Sequence, residues 1–191
     1  EPPGLAAALA QYVALLEKWN GAYNLTAVRA PEEMVTRHVL DSLVVLPFLD
    51  DGPVLDVGTG AGLPGLVLAL ARPEQQFVLL DASGKKTRFI EHAIDRLGLK
   101  NVRVVRARVE DYEEAAGFCR VVSRAFASVG DFIRAAGHQL KPGGRLLAMK
   151  GTLPENELAA LPAGWRLDSV HRLSVPGLRA ERHLLEFRRE E

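Results

Sequence analysis

Asp56, the glycines at 58, 60, 62 and 65, and a second acid, Asp81, are the residues of this chain whose types and spacing best suit a nucleotide-like ligand. Between Val54 and Leu66 the sequence reads V-L-D-V-G-T-G-A-G-L-P-G-L, an apolar strand that opens into a loop. Glycines at this density remove the Cβ atoms that hold a ligand off the main chain, and they admit the positive φ values of a strand-to-helix reversal. A second apolar run, Phe77 to Leu80, ends at Asp81. An acid at a strand tip can accept hydrogen bonds from ribose hydroxyls, or it can cap a following helix, here one starting near Ser83. The ligand is therefore expected to carry a ribose.

Two frames fit the loop. Gly60-x-Gly62-x-x-Gly65 satisfies the dinucleotide pattern, which points to a nicotinamide-dependent oxidoreductase. Asp56-x-Gly58-x-Gly60-x-Gly62 resembles the cofactor loop of S-adenosylmethionine-dependent methyltransferases. Charge favours the second frame, because a carboxylate beside the loop repels a pyrophosphate but suits a sulfonium and an ammonium. A third reading, from a different class, is a non-catalytic nucleic-acid-binding module.

The elements that must hold these residues alternate. From Pro53 the pattern predicts strands at 53–58, 76–81, 102–106, 119–123 and 145–150, with helices at about 63–72, 84–97 and 128–140 between them. Such alternation means a parallel sheet with right-handed crossovers. Ahead of it, Leu5, Leu9, Tyr12, Leu16 and Trp19 recur at helical spacing up to Asn20-Gly21, and Pro31-Glu32-Glu33 opens a second helix running to about Leu46. These two lack room for a core of their own, so residues 1–50 read as an N-terminal helical cap on a cofactor-binding core of 51–191, in one domain. Trp165 to Val175 and Arg182 to Phe187 flank a Pro176-Gly177 turn as an antiparallel strand pair.

With 191 residues, 48% of them hydrophobic and 25% charged, the chain suits one α/β core rather than two domains or a disordered segment. It has no 18-residue apolar stretch for a membrane span. The single Cys119 excludes an internal disulfide, no Cys/His cluster suggests a metal, and no secretory signal is visible, so a cytoplasmic, metal-free monomer is expected. Starting at Glu1 rather than methionine, the chain is expected to lack some natural N-terminal residues. The net charge is zero but unevenly spread: residues 1–80 hold 4 Lys/Arg against 9 Asp/Glu, and residues 81–191 hold 20 against 15. Lys85, Lys86, Arg88, Arg103, Arg106, Arg108, Arg124, Arg134, Lys141 and Arg145 form a basic face for phosphates if they converge.

Four further runs narrow the reading. W-N-G-A-Y-N-L-T at 19–26, R-H-V-L-D-S-L at 37–43, V-G-T-G-A-G-L-P-G at 57–65 and S-R-A-F-A at 123–127, with the Lys141-Pro142-Gly143-Gly144 turn, together resemble the RsmG (GidB) family over nearly the whole chain. The resemblance implies a class I methyltransferase, Rossmann-like, with a mostly parallel sheet and helices on both faces. It implies S-adenosylmethionine as cofactor and, as substrate, N7 of a guanosine in the decoding-region loop of bacterial small-subunit ribosomal RNA, met as RNA or within the subunit. Carried over position by position, it makes Gly58 and Leu63 contacts of the cofactor loop, to which the acid-and-glycine frame adds Asp56, Gly60 and Gly62. It places Asp81, Ala82 and Ser83 by the ribose, Val109 and Glu110 by the adenine, and Arg124 beside the reaction site.

The residues agree with these positions, since each sits at or just beyond the carboxyl end of a predicted strand, where open α/β sheets collect ligands. Arg124, beside Val122 and Ala125, is costly to bury unless it is paired or used. His38 either binds substrate or stabilises the cap, and Lys150 either meets RNA phosphate or simply ends its strand. Phe126 either stacks on a base or fills the core. Cys119 lies at the wrong end of its strand for a pyrimidine nucleophile, and Ser123-Arg124-Ala125-Phe126 lacks the Asn/Asp-Pro-Pro-aromatic motif common among amine methylators. Guanine N7 needs no general base, only a lone pair held at roughly 3 to 3.5 Å from the methyl.

Overall fold

A strand apolar on both faces must lie inside a sheet covered on both sides. In the computed structural model, which describes residues 2–190, the strands β1 (Val54–Val57), β2 (Phe77–Leu80) and β4 (Phe118–Ser123) are buried at every position. With β3 (Val102–Val105), β5 (Leu140–Lys150), β6 (Trp165–Arg172) and β7 (His183–Arg189) they make one sheet in the order β3-β2-β1-β4-β5-β7-β6. Strands β1 to β5 run parallel, and β7 is antiparallel to both β5 and β6.

Alternate residues along each strand feed two cores. Val54, Phe77, Leu79, Val122 and Leu147 join helices α1 (Leu5–Tyr23), α4 (Gly65–Ala71) and α5 (Gly84–Leu97) on one face. Leu55, Val57, Val78, Val121 and Leu146 join α6 (Val129–Ala136) on the other. Tyr12 and Leu16 of α1 are fully buried in the first core, so the N-terminal helix shares the sheet's core. By area, Leu16 alone contributes about 1.5–3 kcal/mol there.

The element boundaries depart from the sequence pattern where side chains or backbone sterics compete. Helix α1 runs through Asn20-Gly21 and stops at Asn24, which takes the left-handed conformation (φ 49°). Asn20 fails as a stop because its buried amide holds the next loop, donating to Val28 O and accepting from Thr26 N. The second helix is not one α-helix to Leu46: α2 (Pro31–Met34) passes into a π-helical turn, Val35–Leu40, then α3 (Asp41–Leu43), and Leu46–Phe48 forms a separate 3₁₀ turn around Pro47.

Similar shifts occur later in the chain. Helix α6 ends at Ala136, its last turn tightening to 3₁₀ over Gly137–Gln139. The Lys141–Gly144 turn is a bulge inside β5: Phe118 pairs with Leu140, yet Arg120 pairs with Arg145. Gly144 is needed there, because a Cβ would lie 2.7 Å from Phe118 O. Strand β6 ends at Arg172 rather than Val175, and a short helix, α7 (Glu155–Leu158), follows β5 in a stretch with no clear sequence period.

Candidate active site

Strand β1 lies between β2 and β4, so the chain leaves it in one direction through β2 and β3 and in the other through β4 and β5. The crevice that such a reversal opens at the carboxyl ends is where α/β sheets bind ligands. Two adjoining hollows occupy it. The larger, about 560 Å³, is lined by Thr26, Arg37, His38, Asp41, Thr59, Gly60, Leu63, Arg124, Met149, Lys150 and Arg182 among others. The smaller, about 260 Å³, is lined by Leu80, Asp81, Ala82, Arg108, Val109, Glu110 and Phe126 among others. Gly58 and Ala125 line both.

Gly58 is the neck between them. Its φ is +67°, and a Cβ would sit 2.6 Å from Ala125 Cβ, so only glycine leaves room. The amides of Gly58 and Thr59 both donate to Leu80 O, at 2.8 and 3.1 Å, which ties the loop to the tip of β2. Asp81 holds the loop from the other side: Oδ2 accepts from Gly60 N at 2.9 Å, Oδ1 accepts from Ser83 N at 2.8 Å, and Lys86 Nζ lies 3.7 Å away. Asp81 thus braces the turn that leads into α5 and still faces the smaller hollow, where each oxygen keeps a further lone pair.

Asp56, Gly62 and Ser83 line neither hollow. Asp56 is fully buried beneath the loop, its Oδ2 accepting from Thr59 Oγ1 at 2.6 Å and from Gly65 N at 2.7 Å. Burial pushes its carboxyl up to about 6, although these hydrogen bonds and the Arg124 charge pull the other way. Among the described residues Oδ1 has no hydrogen-bond partner. The carboxylate therefore fastens the loop rather than facing a cofactor. It also occupies the first amide of α4, the donor that a pyrophosphate would need in the Gly60-x-Gly62-x-x-Gly65 frame. Gly62 (φ +87°) packs against Leu66, and Ser83 is the cap residue of α5.

The larger hollow draws on distant segments. Ser123 Oγ donates to Val57 O at 2.7 Å and accepts from Ala125 N at 3.1 Å, which locks the tips of β4 and β1 together and fixes Arg124 between them. Arg124 Nη1 donates to Asp41 Oδ2 at 3.2 Å, and Arg182 Nε donates to Asp41 Oδ1 at 2.7 Å. His38 is buried; its Nε2 lies 2.8 Å from Thr26 Oγ1 and its Nδ1 lies 3.0 Å from Arg37 O. Burial foremost, then the Arg124 charge, lowers its imidazole below the usual value, which suits a neutral ring with Nδ1 donating. Lys150 Nζ donates to Phe126 O at 3.0 Å and Ala127 O at 3.1 Å, and Phe126 packs on Phe132 with 5.1 Å between centroids.

The ten basic residues that would form one face if they converged do not all meet here. Arg103 is paired with Glu114, Arg134 with Asp131, and Arg145 with Asp168 and Glu186. Lys141 and Arg145 sit at the start of β5, opposite the end that carries Lys150. The larger hollow gathers Arg37, Arg124, Lys150 and Arg182, and Arg108 lines the smaller one. No local pattern marks Arg37 or Arg182 as a binding residue, and Arg182 meets Asp41 across 141 residues of sequence. Among the described residues no group of three or more His, Cys, Asp or Glu is placed to hold a metal ion, and no helix is long and apolar enough to cross a membrane.

Comparison with known proteins agrees with this geometry. Solved structures superpose with a TM-score of 0.61 for a SAM-dependent methyltransferase from Thiobacillus denitrificans in complex with S-adenosyl-L-homocysteine, at 13% identity over 92% of this chain and 98% of that one. For the DhpI-SAH complex the TM-score is 0.60, at 20% identity over 99% of this chain and 98% of that one. These likenesses establish a class I methyltransferase fold. Ribosomal RNA small subunit methyltransferase G of Stenotrophomonas maltophilia (strain K279a) is 53% identical over 95% of this chain and 88% of its own. The protein of the same name from Xanthomonas campestris pv. campestris (strain B100) is 52% identical over 94% and 85%. The sequence model of the GidB family, described as rRNA small subunit methyltransferase G, matches residues 5–185, and the chain belongs to that family.

Proposed function

We propose that the protein transfers a methyl group from S-adenosylmethionine to N7 of a guanosine in the decoding-region loop of small-subunit ribosomal RNA. Family membership supports the cofactor and the substrate class. The observation that carries the reading is the division of the crevice at Gly58: a hollow bearing Asp81 and Glu110 beside a single arginine, Arg108, on one side, and a mainly basic one bearing Arg37, Arg124, Lys150 and Arg182 around Asp41 on the other. The first suits a neutral, hydroxyl-bearing adenosyl group, and the second suits polyphosphate RNA.

The residues present fit the cofactor. Asp81 has free lone pairs for ribose hydroxyls, Ala82, Val109 and Glu110 enclose the space beyond it, and Gly58, Gly60 and Leu63 leave a passage to Arg124 that any Cβ at 58 would close. When bound, S-adenosylmethionine supplies a methyl group on a positively charged sulfur, to which a purine nitrogen lone pair can bond without loss of a proton. No side chain need act as a base, so the chain's work is positioning and charge. Arg124 stands at the junction with RNA, oriented by Asp41. His38, neutral and tied to Thr26, holds the cap against the crevice. Lys150 fixes the 126–127 backbone. The same reading takes the chain as a single domain acting in the cytoplasm as a monomer without metal.

Calorimetry with S-adenosylmethionine and with NAD(H) tests the cofactor. Binding of the first and not the second is expected, and the reverse overturns the reading. Mapping methylated nucleotides in ribosomal RNA from a strain lacking the gene, before and after complementation, tests the acceptor. A restored N7-methylguanosine in the small-subunit RNA is expected, and a restored mark elsewhere overturns it.

A further inference from the structure

We propose that Asp41 is the residue by which the crevice selects guanine over adenine, its carboxylate accepting the N1–H and the exocyclic N2 amine of the target base. The inference rests on the methyltransferase reading above and concerns the base rather than the donor. Asp41 is the one carboxylate among the described residues lining the basic hollow. Two arginines from different parts of the fold fix its plane, Arg182 through Oδ1 at 2.7 Å and Arg124 through Oδ2 at 3.2 Å. Asp41 is buried, its side chain 5% exposed where it lines the hollow, and each carboxylate oxygen has two acceptor sites, so one per oxygen is left for a group that fills that space.

Two adjacent acceptors match two adjacent donors on guanine. Adenine presents an acceptor and a C–H at the same places, and would set a lone pair against a carboxylate. The edge carrying N1 and N2 lies across the purine from N7, so a base held by it keeps N7 clear. The arginines argue the same way: free guanidinium groups favour the O6/N7 edge of guanine, which methyl transfer must leave open, and Asp41 engages both of them. Charge gives a further reason. N7 methylation makes the purine cationic beside Arg37, Arg124, Lys150 and Arg182, and Asp41 is the negative group placed to offset that charge. The π-helical turn Val35–Leu40, an irregularity frequent at functional sites, ends where Asp41 begins.

The test compares small-subunit RNA carrying guanosine or inosine at the methylated position. Inosine keeps N7 and N1–H and lacks only the N2 amine. Wild-type kcat/KM is expected to favour guanosine by about tenfold or more. In Asp41→Asn, with S-adenosylmethionine affinity and melting temperature checked, the ratio is expected to collapse toward one, and affinity for the two RNAs in the presence of S-adenosylhomocysteine should converge in the same way. If Asp41 merely braces the arginines, both substrates slow by one factor and the ratio stays at its wild-type value, which overturns the assignment. A wild-type ratio of one also overturns it, with the methyltransferase reading intact. A wild-type enzyme that methylates neither RNA refutes the methyltransferase reading first. Should Asp41→Asn not fold, Asp41→Glu replaces it: moving the carboxylate by one methylene is expected to lower the guanosine preference, and a wild-type ratio at a reduced rate overturns the assignment.

Discussion

The hydroxyl of Tyr12 donates a 2.8 Å hydrogen bond to the carbonyl of Ala61, joining the N-terminal helix to the middle of the glycine loop. Tyr12 is fully buried, and burial drives its phenol far above the usual value, so it stays a donor at any working pH. Tyr12→Phe keeps the ring beside Phe89 and removes only that donor. Leaving Ala61 O unpaired is expected to cost about 1–2 kcal/mol of stability by urea unfolding and to weaken S-adenosylmethionine binding several-fold by calorimetry. Unchanged affinity would show that the loop holds its shape without the cap.

Gly58→Ala tests the neck. The new methyl would meet Ala125 Cβ at 2.6 Å, and a non-glycine residue at φ +67° adds about 1–2 kcal/mol of backbone strain. Cofactor affinity should fall at least tenfold. The double variant Gly58→Ala/Ala125→Gly removes the collision and leaves the strain, so it is expected to regain part of the affinity in calorimetry. A double variant no better than the single one would mean that strain, not the closed passage, is responsible.

The glycine loop, the strand-tip position of Asp81 and the succession of strands and helices along the chain are legible because they are local: periodicity, punctuation and a strand-tip acid lie within a few residues of one another. The helix expected at about 84–97 matches α5 because Gly98 takes the left-handed cap that its type suggests. What failed was of two kinds. Asn20-Gly21 and Lys141–Gly144 carry stop signals that tertiary contacts override, one through the buried Asn20 amide and the other by a bulge against Phe118. Asp56 looked like a ligand-facing charge, yet the direction of a strand side chain depends on the sheet register, and it points beneath the loop. The Arg124–Asp41–Arg182 bridge joins segments that no local pattern connects.

Asp56 also gives a pH dependence. Its carboxyl is raised from 3.8 to about 6, so the folded state holds this proton more tightly than the unfolded state does. The stabilising contribution is fully present below about pH 4 and is lost as pH rises through 6, leaving a cost of about 3 kcal/mol at neutral pH. Asp56→Asn has no such titration. Its stability relative to wild type is expected to improve by about 1 kcal/mol between pH 5 and 7.5 in urea unfolding, a difference in which the other carboxylates cancel. A flat difference across that range would show that Asp56 is not the group titrating.

Asp81→Ala removes the acceptors facing the smaller hollow together with the ties to Gly60 and Ser83. It is expected to weaken S-adenosylmethionine by roughly 1–3 kcal/mol in calorimetry. Asp81→Asn separates the two roles, since the amide oxygen accepts one of the backbone donors and the charge is lost. If the variants weaken binding equally, charged acceptance by the carboxylate is what the ribose uses. Wild-type affinity in both would remove Asp81 from the site.

Lys150 distinguishes RNA contact from loop support. Its ammonium donates to Phe126 O and Ala127 O, the backbone just beyond Arg124, so two of its three protons are spent inside the protein. A lysine that neutralises a phosphate carries counterion release, and its loss lowers the salt dependence of RNA binding by about one unit of slope. Lys150→Met keeps the aliphatic stem, leaves the two carbonyls to water, and frees the segment that positions Arg124. Salt slopes from filter binding are therefore expected to match wild type, while the methylation rate falls about tenfold as Arg124 loses its fixed place. A slope reduced by one with the rate at saturating RNA intact would assign the ammonium to the nucleic acid instead, and Arg124 would then be held by Asp41 and Ser123 without help from the end of β5.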